Sequence, residues 1–294
     1  MNKACFELEY KENKEQVLIK YIGKNNDIVI IEDGITEIGE FAFCGCTAKE
    51  IILPDSVRII QQCAFASCKN LEKIVLGKGL EYCDDDIILG SPVQEIVWTK
   101  PIESTRNVDF LSLVCSLIRE EDVVYHPSIE KKYDTIKRFF STKRPQKTFL
   151  LKYKEKSVRL PRYISSYLHR LVVSDAVYDC LIEDGDTSYE YQNLQSCLSD
   201  FLNLLSVITE WYVLDHLNYA EEYLKKHAAF IAWRIIQDSE DETLSQYINL
   251  GLLTDKDLQR VLQWASEKDM QTSVAYILEQ MRKRGLKNNA GLTL

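Results

Sequence analysis

The sequence predicts an α+β chain: a short β-solenoid over residues 1–103, followed over residues 104–294 by an all-α domain with an α-solenoid-like end. Three observations carry this reading. A motif recurs every 22–23 residues in the first third of the chain, and repeats of about that length mark units that bury their apolar sides only by stacking on one another. The recurrence stops after Trp98-Thr99-Lys100-Pro101. Beyond that point apolar residues follow the 3.6-residue period of helices.

Each unit opens with a strand whose inward positions are Asn26/Val29/Ile31, Ala48/Ile51/Leu53, Leu71/Ile74/Leu76 and Val93/Ile96/Trp98, at steps of 22, 23 and 22 residues. The same steps carry Ile35 to Val57 and Leu80, Ile38 to Ile60 and Cys83, Ala42 to Ala64 and Ile87, Phe43 to Phe65 and Ile88, and Cys46 to Cys68 and Ser91. After the strand, an I-x-x-x-A-F pattern predicts one helical or 3₁₀ turn closing the coil. Stacking then requires Phe43 to lie over Phe65 and Leu53 over Leu76. With Ile51 and Leu53 inward, alternation sends Ile30, Ile52, Val75 and Val97 outward in a row, beside Ile28, Glu50, Lys73 and Glu95. These eight residues are the candidate binding face. An apolar stripe of this kind needs covering by the helical domain, by a second copy or by a partner.

Two elements are specific enough to suggest a family. Leu53-Pro54-Asp55-Ser56-Val57 with Ile60 fits L-P-x-S-V-x-x-I, and Ala64-Phe65 with Cys68 fits A-F-x-x-C. On these, residues 26–98 resemble the BspA-like bacterial leucine-rich repeat family. The resemblance implies a leucine-rich-repeat solenoid and a role in adhesion or protein recognition. The third unit departs from it with Ile87-Ile88 after Asp84-Asp85-Asp86, and Asn26 stands where leucine is expected. Both departures read as end units.

Composition narrows the function. A net charge of −9 opposes general polyanion binding. Lys11-Glu12-Asn13-Lys14-Glu15 interrupts any apolar leader, and no uncharged run reaches membrane-spanning length, so a cytoplasmic protein without membrane contact is expected. Among nine cysteines, Cys44, Cys46, Cys63 and Cys68 outline a four-thiolate zinc site, yet they lack paired C-x-x-C knuckles. Cys46 and Cys68 share one repeat position, Cys63 aligns with Phe41, and Cys83 aligns with Ile60. That phase favours small buried side chains over metal ligands, and no metal or cofactor is expected. Cys46 and Cys68 approach bonding distance on adjacent coils, but the odd total and the cytoplasmic reading disfavour a disulfide.

Catalytic patterns are absent from the sequence. His126, His169, His216 and His227 form no H-E-x-x-H, and no G-x-S-x-G, Walker or G-x-G-x-x-G motif occurs. Asp215 and His216, as helix neighbours, point about 100° apart. Glu183-Asp184-Gly185-Asp186 misses the EF-hand spacing and reads as a solvated loop.

In the helical part, Val108, Leu111, Val114, Cys115 and Ile118 predict one apolar helix face, ended by a solvated cluster of Arg119, Glu120, Glu121 and Asp122. Pro161 suits a first helical turn, and Gly185 and Gly251 suit helix ends. Thr254-Asp255-Lys256-Asp257 caps a helix bearing Leu258, Val261, Leu262 and Ala265, and a second helix carries Val274, Ile277, Leu278 and Met281. Seven to nine helices are expected in all. Between residues 130 and 162 lie twelve Lys or Arg, interleaved with aromatic residues, while Leu171 to Leu224 holds none. The expected function is non-catalytic protein recognition or scaffolding through the sheet face. A nucleic-acid-associated protein using residues 130–162 is the alternative.

Overall fold

The computed structural model describes residues 6–12, 15–24, 26–104, 107–120 and 134–286. Its strands are β1 (Phe6–Tyr10), β2 (Gln16–Tyr21), β3 (Ile28–Ile30), β4 (Ile35–Ile38), β5 (Glu50–Ile52), β6 (Ile59–Ile60), β7 (Lys73–Val75), β8 (Tyr82–Cys83), β9 (Glu95–Trp98), β10 (Arg119–Glu120), β11 (Thr148–Tyr153), β12 (Lys156–Pro161) and β13 (Tyr163–Ile164). Its helices are α1 (Val108–Leu117), α2 (Asp134–Thr142), α3 (Arg170–Ile182), α4 (Ser188–Ser196), α5 (Phe201–Asp215), α6 (Asn218–Gln237), α7 (Asp241–Ile248), α8 (Asp255–Glu267) and α9 (Gln271–Lys283). The chain divides into two compact units, residues 1–126 with 147–204, and residues 127–146 with 205–294. The split expected at 103/104 on sequence texture falls inside the first of these.

The first unit is the predicted solenoid. A front sheet runs β12-β11-β9-β7-β5-β3 and a back sheet β1-β2-β4-β6-β8. From β3 to β9 the front strands are parallel and in register, so Val29, Ile51, Ile74 and Ile96 lie side by side, each almost fully buried. Behind them the aromatic positions stack, with ring centroids 5.4 Å apart for Phe43 and Phe65 and 5.2 Å for Tyr21 and Phe43. Tyr21 precedes Phe43 by one 22-residue step, and Phe6 closes the row against it. The cysteine position has its own task. Cys68 Sγ donates to the Phe43 carbonyl at 3.0 Å, and Ser91 Oγ donates to the Phe65 carbonyl, so a thiol or hydroxyl there satisfies a buried carbonyl of the coil before.

Coil closure differs from the expected helical turn. A second short strand, β4 or β6, leads into consecutive turns such as Cys44 N to Phe41 O at 2.9 Å and Cys46 N to Phe43 O at 2.9 Å. A helix cannot propagate because two positions per coil are left-handed: Phe41, Cys63 and Asp86 at φ of 54°, 55° and 59°, and Gly45, Ser67 and Gly90 at 72°, 55° and 67°. Non-glycine residues pay about 1–2 kcal/mol there. Ser67 is exposed, and glycine fills the same position in the coils on either side. Ser67→Gly is therefore expected to stabilise the unit by about 0.5–1 kcal/mol after the entropy that glycine loses on folding, measured as a higher urea midpoint with an unchanged slope.

Both sheets are extended beyond the repeats. The antiparallel β1–β2 hairpin lengthens the back sheet at its first coil, and the β11–β12 hairpin lengthens the front sheet at its last. Helix α1 covers the far edge of the back sheet, where Ser112 Oγ accepts from Cys83 N at 3.2 Å.

Several expectations in this region are corrected. The buried face of α1 is Phe110, Leu113, Val114 and Leu117, while Val108 is exposed and Leu111 and Cys115 are half-buried. Two stripes one residue apart fitted the helical period, and packing against the sheet chose the one bearing the phenylalanine. Arg119 and Glu120 form a strand that pairs with Tyr163 and Ile164, instead of the expected solvated helix end. Pro161 ends β12 and starts no helix. As the outer strand of its sheet, β12 tolerates the missing N–H.

In the second unit, α6/α7 and α8/α9 are two helical hairpins offset by 30 residues: α7 begins at Asp241 and α9 at Gln271. Each hairpin turns on a left-handed residue, Ser239 or Asp269, at the same φ of 56°. Buried residues recur at that offset, with Ala228 matched by Leu258, Ile231 by Val261, Ala232 by Leu262 and Tyr247 by Ile277. The hairpins are linked by Asp241, whose carboxylate accepts from Ser273 N at 2.9 Å. The cap expected at Thr254 is a reciprocal capping box with Asp257.

Candidate functional site

The structure brings all eight candidate residues onto one face of the front sheet. Ile30, Ile52, Val75 and Val97 are register partners in succession, and Lys152 of β11 continues the row. Beside them Ile28, Glu50, Lys73 and Glu95 form a second row that continues to Leu150. Strand alternation is the cause, since their neighbours Val29, Ile51, Ile74 and Ile96 fill the core. Ile28 and Ile30 are 55% and 56% exposed, and the other six are half-buried.

The charged members of the face neutralise one another. Lys73 Nζ lies 3.1 Å from Glu50 and 3.8 Å from Glu95, and Lys152 Nζ lies 2.7 Å from Glu95. Hydrogen bonding to Glu50 holds the Lys73 ammonium above the ordinary lysine range. Such half-exposed pairs add little stability. Their main effect is to border an apolar strip with charges of alternating sign. Lys152 was not foreseen, although the T-F-L-L-K-Y alternation of β11 is visible in the sequence.

The basic run does not form one array among the described residues. Lys137 pairs with Glu242, and Lys156 with Asp184 at 2.6 Å. Lys156 also donates to the Ile182 carbonyl at the end of α3 at 3.0 Å. Arg159 is buried, as are Phe139, Phe149 and Tyr153. Several cations stack on the interleaved aromatics, among them Lys147 over Tyr163 at 5.2 Å and Arg162 over Phe149 at 5.8 Å. Lys131, Lys132 and Tyr133 lie outside the described residues, as do Glu121, Asp122 and His126.

The eight described cysteines are free thiols. Burial pushes the thiols of Cys83 and Cys180 up to about 12 and raises that of Cys63, which keeps them protonated. No group of three or more candidate metal ligands occurs among the described residues. In the 183–186 loop, Asp184 is engaged by Lys156, and Asp186 accepts from Ser188 N at 3.0 Å. His169 Nδ1 lies 3.1 Å from Ser165 Oγ. Among the described residues no helix is long and apolar enough to cross a membrane.

The repeat geometry agrees with a family model described as a BspA type leucine rich repeat region, which matches six copies over residues 21–116. Residues 21–116 are a BspA-type leucine-rich repeat region. No curated protein matches the chain. Solved structures similar to part of the chain include a leucine rich repeat protein of T. pallidum, at 27% identity over 31% of this chain and 50% of that one, with a TM-score of 0.28. A leucine-rich repeat protein from Bacteroides capillosus is 22% identical over 33% of this chain and 80% of that one, with a TM-score of 0.29. A leucine rich cell surface protein from Faecalibacterium prausnitzii is 22% identical over 31% of each chain, with a TM-score of 0.25. The chain thus spans half the length of the T. pallidum protein. Leucine-rich repeat proteins generally take part in protein–protein interaction.

Proposed function

We propose that this chain is a non-catalytic recognition or scaffold protein that binds a protein partner through the front sheet of its leucine-rich repeat region. The observation that carries the reading is the in-register row Ile30, Ile52, Val75 and Val97 on the outward face, with Ile28 and Ile30 more than half exposed. Burying such a row against a partner stabilises a complex by roughly 25 cal/mol per Å² of apolar area before association costs. The paired charges alongside it supply a polar rim and disfavour mismatched partners.

Ile52→Asp with Val75→Asp is expected to abolish partner capture from native lysate while leaving the circular dichroism spectrum and melting temperature nearly unchanged. Capture of the same proteins by the double variant and the parent would sink the proposal. A large fall in melting temperature would show instead that the row is internal core.

A further inference from the structure

The cysteine position of the repeat is occupied by a thiol in two successive coils and by Ser91 in the third. Cys46 and Cys68 converge on one atom: Cys46 N donates to the Phe43 carbonyl at 2.9 Å and Cys68 Sγ donates to the same oxygen at 3.0 Å. The backbone on either side is tied coil to coil, by Phe43 N to Ala64 O at 2.8 Å and Gly45 N to Ala66 O at 2.9 Å. Coils tied this way stand about 4.8 Å apart, inside the roughly 4.4–6.8 Å between α-carbons that a disulfide spans. We infer that Cys46 and Cys68 are an oxidisable pair, which a low-molecular-weight disulfide converts to a cross-link stapling the first coil to the second.

The two sulfurs have different parts in the exchange. Cys46 is at the edge of the buried region, two residues from exposed Cys44, whereas Cys68 is fully buried. Contact with Cys68 lowers the Cys46 thiol, and the same contact together with burial raises Cys68. Cys46 is therefore the attacking thiolate. It takes one sulfur of the small disulfide and releases one small thiolate, which leaves with a proton. Cys68 Sγ then displaces the second small thiol from the mixed disulfide. Two protein thiols and one small disulfide become one protein disulfide and two small thiols, with both electrons passed to the small molecule. The weak bond from Cys68 to Phe43 is given up, and a 22-residue loop of the unfolded chain is closed.

The test uses the full chain, fully reduced and then incubated with oxidised glutathione, digested without reductant and mapped by mass. The expected product is a peptide pair joined through Cys46 and Cys68, with the first melting transition raised by roughly 5–10 °C over the reduced protein. Cys46→Ser removes both the cross-link and the rise, and Cys44→Ser retains both. Glutathione carried on Cys44 alone, a cross-link from Cys44, or a joined pair with no rise would each overturn the inference. If Cys68→Ser fails to fold, the peptide map and Cys46→Ser still decide the matter.

Discussion

Phe65→Ala is expected to destabilise the first unit by about 3–5 kcal/mol, the range for emptying a phenylalanine site in a rigid core. Phe65 is completely buried, and its ring lies tilted against Phe43, which stacks on Tyr21. Removing it deletes transfer energy and one ring–ring contact, which adds about 0.5–1.5 kcal/mol beyond area. Collapse into the hole is resisted by the hydrogen bonds that tie the coil above and below, Phe43 N to Ala64 O and Phe65 N to Ile87 O, both 2.8 Å. Urea unfolding followed by circular dichroism measures the loss. A change below about 1 kcal/mol would mean that the aromatic row does not carry the stack.

Gly79→Ala is expected to be comparably severe, at about 3 kcal/mol or more, the upper end for overpacking. A Cβ at residue 79 would stand 2.0 Å from the Asp55 carbonyl oxygen, and one at residue 77 would stand 2.1 Å from that of Pro54. Both obstacles are backbone of the preceding coil. No side chain can rotate away, so the coils themselves would have to part and break bonds such as Lys78 N to Asp55 Oδ1 at 2.8 Å. Gly185→Ala is the control: nothing lies within 4 Å of its Cβ position, and a change within about 0.5 kcal/mol is expected. Equal urea midpoints for the two variants would show that the second and third coils pack more loosely than their geometry indicates.

The solenoid was legible because each coil repeats one environment and therefore one set of residue types. Phe43 over Phe65, the inward Val29–Ile51–Ile74–Ile96 row and the outward Ile30–Ile52–Val75–Val97 row all follow from 22- and 23-residue steps. Both end hairpins escaped notice for a shared reason, since an end element meets a different neighbour on each side and need not copy the repeat. In β12, Lys156 and Arg159 interrupt the run and hide the alternation of Val158 and Leu160. The 30-residue recurrence of the helical hairpins was equally hidden. Ala228 and Leu258, or Ser239 and Asp269, share burial or backbone shape without sharing chemistry. The candidate face itself needed only alternation. What alternation lacked was Lys152, whose strand returns to the sheet after a long excursion of the chain.

The donors at Cys68 and Ser91 have a wider implication. Each reaches back to the unit before it and none reaches forward, so the array has polarity like a column of interlocking bricks. Nothing in that joint refers to how many courses there are. A whole course can be added or deleted wherever the incoming one brings a thiol or hydroxyl to this place, and the breadth of the outward surface then changes in steps of one strand without redesign of either end.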